Sequence, residues 1–187
     1  MTTKDKPTRE HIIDCAFDLF IAKGYHGTSM RDIANVAELA VSGIYNHFSN
    51  KEGIFEAIIR RWHPFVRMQP QLEEVIGDTV RDRLIDTIRR IITVYDSNPN
   101  SYHLLFIEIV EFDGKHMAQL FSELQTSMLL WVGGLKQAQG KLVTDNPVLL
   151  FQWLMSVLFA YSIAGRIMTE HVDTDTFILM YCDGMAL

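Results

Sequence analysis

Cysteine is scarce in this chain. Only Cys15 and Cys182 occur among 187 residues, far apart and without the paired spacing that a disulfide framework or a structural zinc site requires. A reduced, cytoplasmic protein is the expectation. Positive charge is scarce too, and the net charge of −6 weighs against a polyanion-binding protein. That balance changes when the chain is divided. Residues 1–67 carry nine Lys/Arg against eight Asp/Glu, whereas residues 68–187 carry eight against fifteen. The acid therefore lies in the C-terminal part, and the N-terminal part is near neutral. With 48% apolar residues the chain can bury a substantial core.

Strand-like alternation and internal repeats are also missing, and helical periodicity fills their place. A first helix over about Arg9–Lys23 buries Ile12, Ile13, Ala16, Phe17 and Phe20, and Gly24 closes it. Short helices follow near 28–37 and 41–48. A fourth opens at Ser49 or Asn50, buries Ile54, Phe55, Ile58 and Trp62, and is ended or kinked by Pro64. Further helices are expected over about 78–96, 101–112, 117–135, 148–169 and 174 to the C-terminus. Asn98-Pro99, Asp113-Gly114, Gly140 and Asp145-Asn146-Pro147 punctuate them. The expected fold class is all-α with about nine helices.

Catalytic chemistry finds little support. His103, Glu108, Glu111 and His116 are the one group with ligand or acid–base chemistry, and the Asp113-Gly114 break divides it. No His-x₃-His pair stands on either helix, so neither an enzyme nor a bound metal or other cofactor is expected. A metal-sensing role is the weaker alternative. From Val148 to Gly165 the sequence runs 18 residues without charge, the length of a membrane-spanning helix. Gln152, Ser156 and Ser162 interrupt it and no basic cluster flanks it, so a buried helix facing both a core and a partner subunit is the preferred reading. A membrane-anchored interaction protein is the rival.

The most informative stretch is TSMRDIANVAELAVSGIYNHFSNKEGIF, residues 28–55. It reads as a short helix capped by Thr28 and burying Ile33, Ala34 and Ala37, then a tight turn and a second short helix. That second helix buries Val41 or Ile44 with Phe48 and leaves Ser42, Gly43, Tyr45, Asn46 and His47 outward. Helices so short cannot persist alone, so neighbours must hold them to present that outer face, which suits the major groove of DNA.

Residues 9–62 resemble the DNA-binding domain of the TetR (tetracycline-repressor-like) family of transcriptional regulators. The resemblance runs through Gly24-Tyr25-x-x-Thr28-Ser29-x-Arg31-Asp32-Ile33-Ala34 to Ile44-Tyr45-x-His47-Phe48-x-x-Lys51-Glu52. It implies that Thr28, Ser29 and Arg31 position phosphates, that Tyr45, His47 and Lys51 clamp the backbone, and that Val41, Ser42, Gly43 and Asn46 face base edges. The sequence departs from the family at Glu38, where the turn usually holds Gly. It departs again at Ala40, where Ser commonly caps the helix, and at Gly43, where Thr is common. Residues 1–8 read as a flexible arm; Lys4, Lys6 and the adjoining Arg9 are candidates to meet phosphate, and a solvated arm without that contact is the plainer expectation.

For residues 63–187 the resemblance is one of pattern. It implies a regulatory domain with a pocket for a small, mostly apolar ligand, and dimerisation through the last two helices. Candidate pocket residues are Tyr95, Phe106, Glu108, Met128, Trp131, Trp153 and Tyr161. Glu108 stands out as a carboxylate on a very apolar helix, where it could pair with a cationic lipophilic ligand or an Arg; a solvated or structural role for it and for Glu111, the latter pairing with Lys115, is the plainer expectation. Ser156, Phe159, Ala160, Ala164, Phe177 and Tyr181 are candidates for the dimer interface, where small residues let helices approach and aromatics anchor. The expected partners are double-stranded DNA, the ligand and a second copy of the chain, with no membrane. Pro64 lies where a ligand signal would pass to the DNA-binding helices.

Overall fold

The computed structural model describes residues 8–98, 100–167, 173–183 and 185, and describes side chains for all of these except those at 65, 118, 119 and 165–167. Ten helices occur among the described residues: α1 (Thr8–Lys23), α2 (Met30–Val36), α3 (Val41–Tyr45), α4 (Lys51–Trp62), α5 (Pro64–Glu73), α6 (Val80–Ser97), α7 (Ser101–Phe112), α8 (Met117–Gln137), α9 (Pro147–Ile167) and α10 (Thr174–Cys182). The fold is all-α, and the helix beyond the nine expected is α5. Pro64 does end α4, but it also starts α5. At a first helical position its missing N–H is no loss, and its fixed φ suits the helix. His63 before it is extended, with φ −58° and ψ 134°, as a residue preceding proline prefers. Pro70 inside α5 hid this helix from a reading of the sequence.

Two compact units form: Met1–Val66 with Pro99–Gln119, and Arg67–Asn98 with Leu120–Leu187. The expected boundary after residue 62 follows chain order; packing adds residues 99–119 to the first unit. Its core is Ile12, Ile13, Ala16 and Phe20 of α1, Ile33 and Ala34 of α2, Ile44 of α3, and Ile54, Phe55, Ile58 and Ile59 of α4, all almost fully buried. Each large side chain here contributes about 1.5–3 kcal/mol, which is what holds α2 and α3 in place. Trp62 is half-buried, its ring 4.7 Å from that of Phe17. At the end of α7, Phe112 stacks on Phe55 with centroids 4.5 Å apart and planes 14° from parallel, and its ring lies 4.5 Å from that of Tyr25.

In the second unit α6 opens with a capping box: Thr79 accepts from the backbone N–H of Asp82 while the Asp82 carboxylate accepts from that of Thr79. Leu84, Ile88, Ile91 and Tyr95 form its buried stripe. Two exposed ion pairs, Arg81–Asp183 and Arg89–Asp175, link α10 to α6 and contribute little beyond register. On α8, buried Trp131 donates from Nε1 to the Thr87 hydroxyl at 3.0 Å. One helix, α9, is long and apolar enough to cross a membrane, and 33% of its Pro147–Ala164 stretch is buried.

Candidate nucleic-acid interface

Ser29, not Thr28, caps α2. The Ser29 hydroxyl accepts from Asp32 N–H at 3.1 Å, and the Asp32 carboxylate accepts from Ser29 N–H at 2.8 Å, closing a capping box. The Ser29 hydroxyl also donates to that carboxylate, which holds Asp32 below the usual range. Thr28 is buried, and its hydroxyl donates to the Gly24 carbonyl at 2.9 Å. Its side chain is thus spent on closing the α1–α2 loop, because the chain must turn inward before α2 can start. Arg31 is exposed on the first turn of α2.

The turn between α2 and α3 depends on Glu38. Leu39 N–H bonds to Ala34 C=O at 2.9 Å and Glu38 N–H to Asn35 C=O at 3.3 Å, the paired bonds of a Schellman ending. That geometry puts Glu38 at φ +56°, a conformation glycine adopts more cheaply. A side chain thus stands in a left-handed position at the point where the family usually has Gly. Ala40 precedes α3 in an extended conformation with no side-chain cap. Gly43 sits mid-helix, and a Cβ there would meet Leu39 Cβ only at 3.8 Å.

On α3, Ile44 is fully buried and Phe48 just beyond it nearly so. Val41 and Gly43 are half-buried, whereas Ser42, Asn46 and His47 are exposed and Tyr45 is 53% exposed. The outward set expected from the sequence thus shares one face, with Val41 at its rim. Asn50 caps α4 by accepting from Gly53 N–H at 2.8 Å. Of the arm residues, Lys4 and Lys6 lie outside the described residues; the Arg9 guanidinium covers the Phe48 ring at 4.8 Å.

Lys51 is engaged within its own domain. Its ammonium donates to the Tyr25 and Thr28 carbonyls, each at 2.6 Å, and lies 4.1 Å from the centre of the Tyr25 ring. Partial burial lowers its pKa. The group is used inside the domain as a pin for the α1–α2 loop. From the other side Glu111 of α7 accepts from Tyr25 N–H at 3.0 Å and His26 N–H at 2.7 Å. Glu111 therefore does not pair with Lys115, which instead ion-pairs with Glu52. Gly24, at φ +77°, permits this approach, since a Cβ there would stand 2.9 Å from Glu111 Oε1. Nothing in the local sequence linked Glu111 to the α1–α2 loop, because its partners there are backbone groups about 85 residues away.

Residues 12–58 match the model of the bacterial regulatory proteins of the tetR family. The HTH-type transcriptional regulator YvkB of Bacillus subtilis (strain 168) is 26% identical over 167 residues, covering 84% of this chain and 82% of that one. Residues 12–58 are a TetR-family domain. The HTH-type transcriptional repressor KstR2 of Rhodococcus jostii (strain RHA1) is 25% identical over 191 residues, covering 95% and 91%. In fold, the structure of a TetR-family transcriptional regulator protein from Vibrio parahaemolyticus agrees at a TM-score of 0.73, with 18% identity over 97% of this chain and 100% of that one. Carrying that domain, and similar along most of its length to these HTH-type regulators, it is a transcriptional regulator with a helix-turn-helix domain.

The expected pocket residues divide between the units. Trp131 lines a cavity of about 260 Å³ with Leu72, Glu73, Val75, Arg83 and Leu135. Met128 and Trp153 are half-buried and are not among its walls. Tyr95 and Tyr161 meet edge to face with centroids 5.5 Å apart, and Phe177 lies 5.3 Å from Tyr161. Phe106 and Glu108 belong to the first unit. Glu108 is fully buried rather than solvated, and its two oxygens accept from the backbone N–H and the imidazole of His116 at 2.5 and 2.7 Å. It is not open to a ligand.

Of the residues expected at a dimer interface, Ser156 and Phe159 are exposed, and Ala160, Ala164 and Tyr181 are half-buried. Phe177 is buried in its own unit between Tyr161 and Tyr181, so it is core. Sequence reasoning missed Leu179 and Met180 beside it, of which Met180 is 64% exposed. Their signal was available as apolar residues on the far side of α10 from Phe177 and Ile178.

Proposed function

We propose that this chain is a ligand-responsive repressor that acts as a homodimer on a palindromic operator. The observation that carries the DNA-binding half is α3: a five-residue helix anchored by Ile44 and Phe48, with Ser42, Tyr45, Asn46 and His47 turned to solvent. So short a helix has no stability of its own, and the fold expends core to present it. Val41, Ser42, Gly43 and Asn46 read base edges, with Asn and Ser supplying donors and acceptors and Val41 meeting a thymine methyl. Tyr45, His47 and Arg31 contact phosphates, and Ser29 keeps the start of α2 in register beside them. Thr28 and Lys51 act by holding the α1–α2 loop.

One such module contacts too few bases to be selective, and a two-fold pair solves this by reading two half-sites. The exposed faces of α9 and α10 around Ser156, Phe159, Leu179 and Met180 supply the apolar surface for that pairing. The reading as a repressor draws on KstR2, a relative named as one. The cavity beside Trp131 suits a small, mostly apolar molecule. Such a ligand acts only through different affinities for two states of the protein.

The test is the salt dependence of binding to duplex DNA. Arg31→Ala is expected to make the plot of log affinity against log salt shallower by about one. Tyr45→Ala is expected to weaken binding to all sequences alike. An Arg31→Ala slope equal to that of the parent would remove α2 from the interface.

A further inference from the structure

Glu52 and Glu56 stand one helical turn apart on α4, so their carboxylates share a face. His116, in the segment after α7, meets that face. One donor atom from each residue lies within 4.8 Å of the others. His116 Nε2 is 3.4 Å from Glu52 Oε1, roughly the ~3.4 Å that separates two ligands on one tetrahedral zinc ion.

Three acidic or imidazole side chains in proximity are not in themselves a site. What distinguishes this group is His116. Its side chain is 10% exposed, and Nε2 is buried without a hydrogen-bond partner. The ring meets the stacked Phe55 and Phe112 rings edge to face, with centroids at 5.6 and 4.7 Å. On its other edge Nδ1 bonds to the fully buried Glu108 carboxylate at 2.7 Å, and the same carboxylate accepts the His116 backbone N–H at 2.5 Å. The Glu108 carboxylate accepts the Nδ1–H bond, and the opposite ring nitrogen, Nε2, faces Glu52. A buried, unpartnered ring nitrogen 3.4 Å from a carboxylate oxygen is satisfied by a cation held between the two or by a proton they share. Carboxylate, imidazole and open ligand face in this order are the outer and inner layers of a metal centre.

We propose that Glu52, Glu56 and His116 bind a divalent transition-metal ion, Zn²⁺ foremost. Two carboxylates balance its charge, the mixed oxygen and nitrogen donors suit a borderline ion, and the remaining coordination positions take water. Glu108 orients His116. Lys115, which ion-pairs with Glu52 from a side chain 62% exposed, is the ion's competitor and swings away on binding. All five residues belong to the first unit, and the site stands independently of the ligand response proposed above.

The test uses the full-length chain stripped of metal, titrated with Zn²⁺ by calorimetry and with Co²⁺ by visible absorption. One ion per chain is expected, with a cobalt d–d band and no thiolate charge-transfer band. Glu56→Gln and His116→Gln should each weaken binding at least tenfold. Glu108→Gln should weaken it about 10–100-fold, the usual effect of losing a group that orients a ligand. Lys115→Met should tighten it. Glu56 is exposed, so its variant decides the matter should His116→Gln fail to fold, as monitored by circular dichroism. Absence of stoichiometric uptake would overturn the proposal and leave a proton on Nε2. A thiolate band would overturn it in favour of Cys15 or Cys182. So would an affinity unaltered in Glu56→Gln.

Discussion

Lys51 and His63 show how single side chains acquire roles that residue type alone does not assign. A lysine at the start of a helix in a DNA-binding motif reads as a phosphate contact, yet its ammonium is bound to two carbonyls of the α1–α2 loop. Lys51→Met would leave both carbonyls without that donor. The expected result is a loss of about 1–3 kcal/mol in chemical denaturation, with no alteration in the salt slope of DNA binding. A slope lowered by about one with stability intact would return the group to the phosphates. His63 ends α4 fully buried, and desolvation pushes its imidazole down to about 3. The unfolded chain takes up that proton near pH 6.5, so below this value the unfolded state binds more protons than the folded one. The stability from keeping His63 neutral is present above about pH 6.5 and is lost as pH falls toward 3. Denaturation at pH 7.5 and pH 5 should differ by about 2 kcal/mol from this residue, the lower pH being less stable. Carboxylates such as Asp32, whose values are also lowered, act below about pH 4 and leave this window clear. Equal stability at the two values would contradict the account.

Among the elements, α3 combines the most conspicuous function with the weakest local support. It lacks a cap at Ala40, carries Gly43 in its middle and follows a turn that holds Glu38 at positive φ. Ala40→Ser should add about 0.5–2 kcal/mol, because the Ala40 backbone already has the extended conformation of a capping residue. Gly43→Ala should add about 0.5–1 kcal/mol, since a Cβ there meets only ordinary contact. Thermal or chemical denaturation of each variant checks both; destabilisation by either would mean that α3 is held differently. These departures were legible in the sequence because turns and caps are local. So were the buried faces of α1 and α4, whose period is that of the helix itself. The start of α2 was misplaced by one residue because Thr28 and Ser29 are equally plausible caps, and only the inward bonds of Thr28 separate them. The helix α5 was missed because Pro64 and Pro70 read as breakers when one of them is a start.

At the scale of the molecule, division into units was the least legible feature. Chain order suggested a single boundary after residue 62, but Phe112 and Glu111 bring α7 into the first unit through ring packing and bonds to backbone N–H groups. Neither kind of contact leaves a pattern in the local sequence. The outward apolar residues of α9 and α10 were only half legible. Uniform hydrophobicity indicated that α9 needs two covered faces, but it did not distinguish Phe177, which is core, from Met180, which is exposed. The account assigns that exposed surface to a second copy of the chain and so makes paired recognition helices its central claim. Selection of bound sequences from a random duplex library, with purified protein at near-physiological salt, tests that claim most directly. Enrichment of a two-fold palindrome, lost in Met180→Glu as the protein becomes monomeric, is the expected result. Failure to enrich any sequence, or enrichment of a single asymmetric half-site that Met180→Glu leaves unaltered, would contradict it.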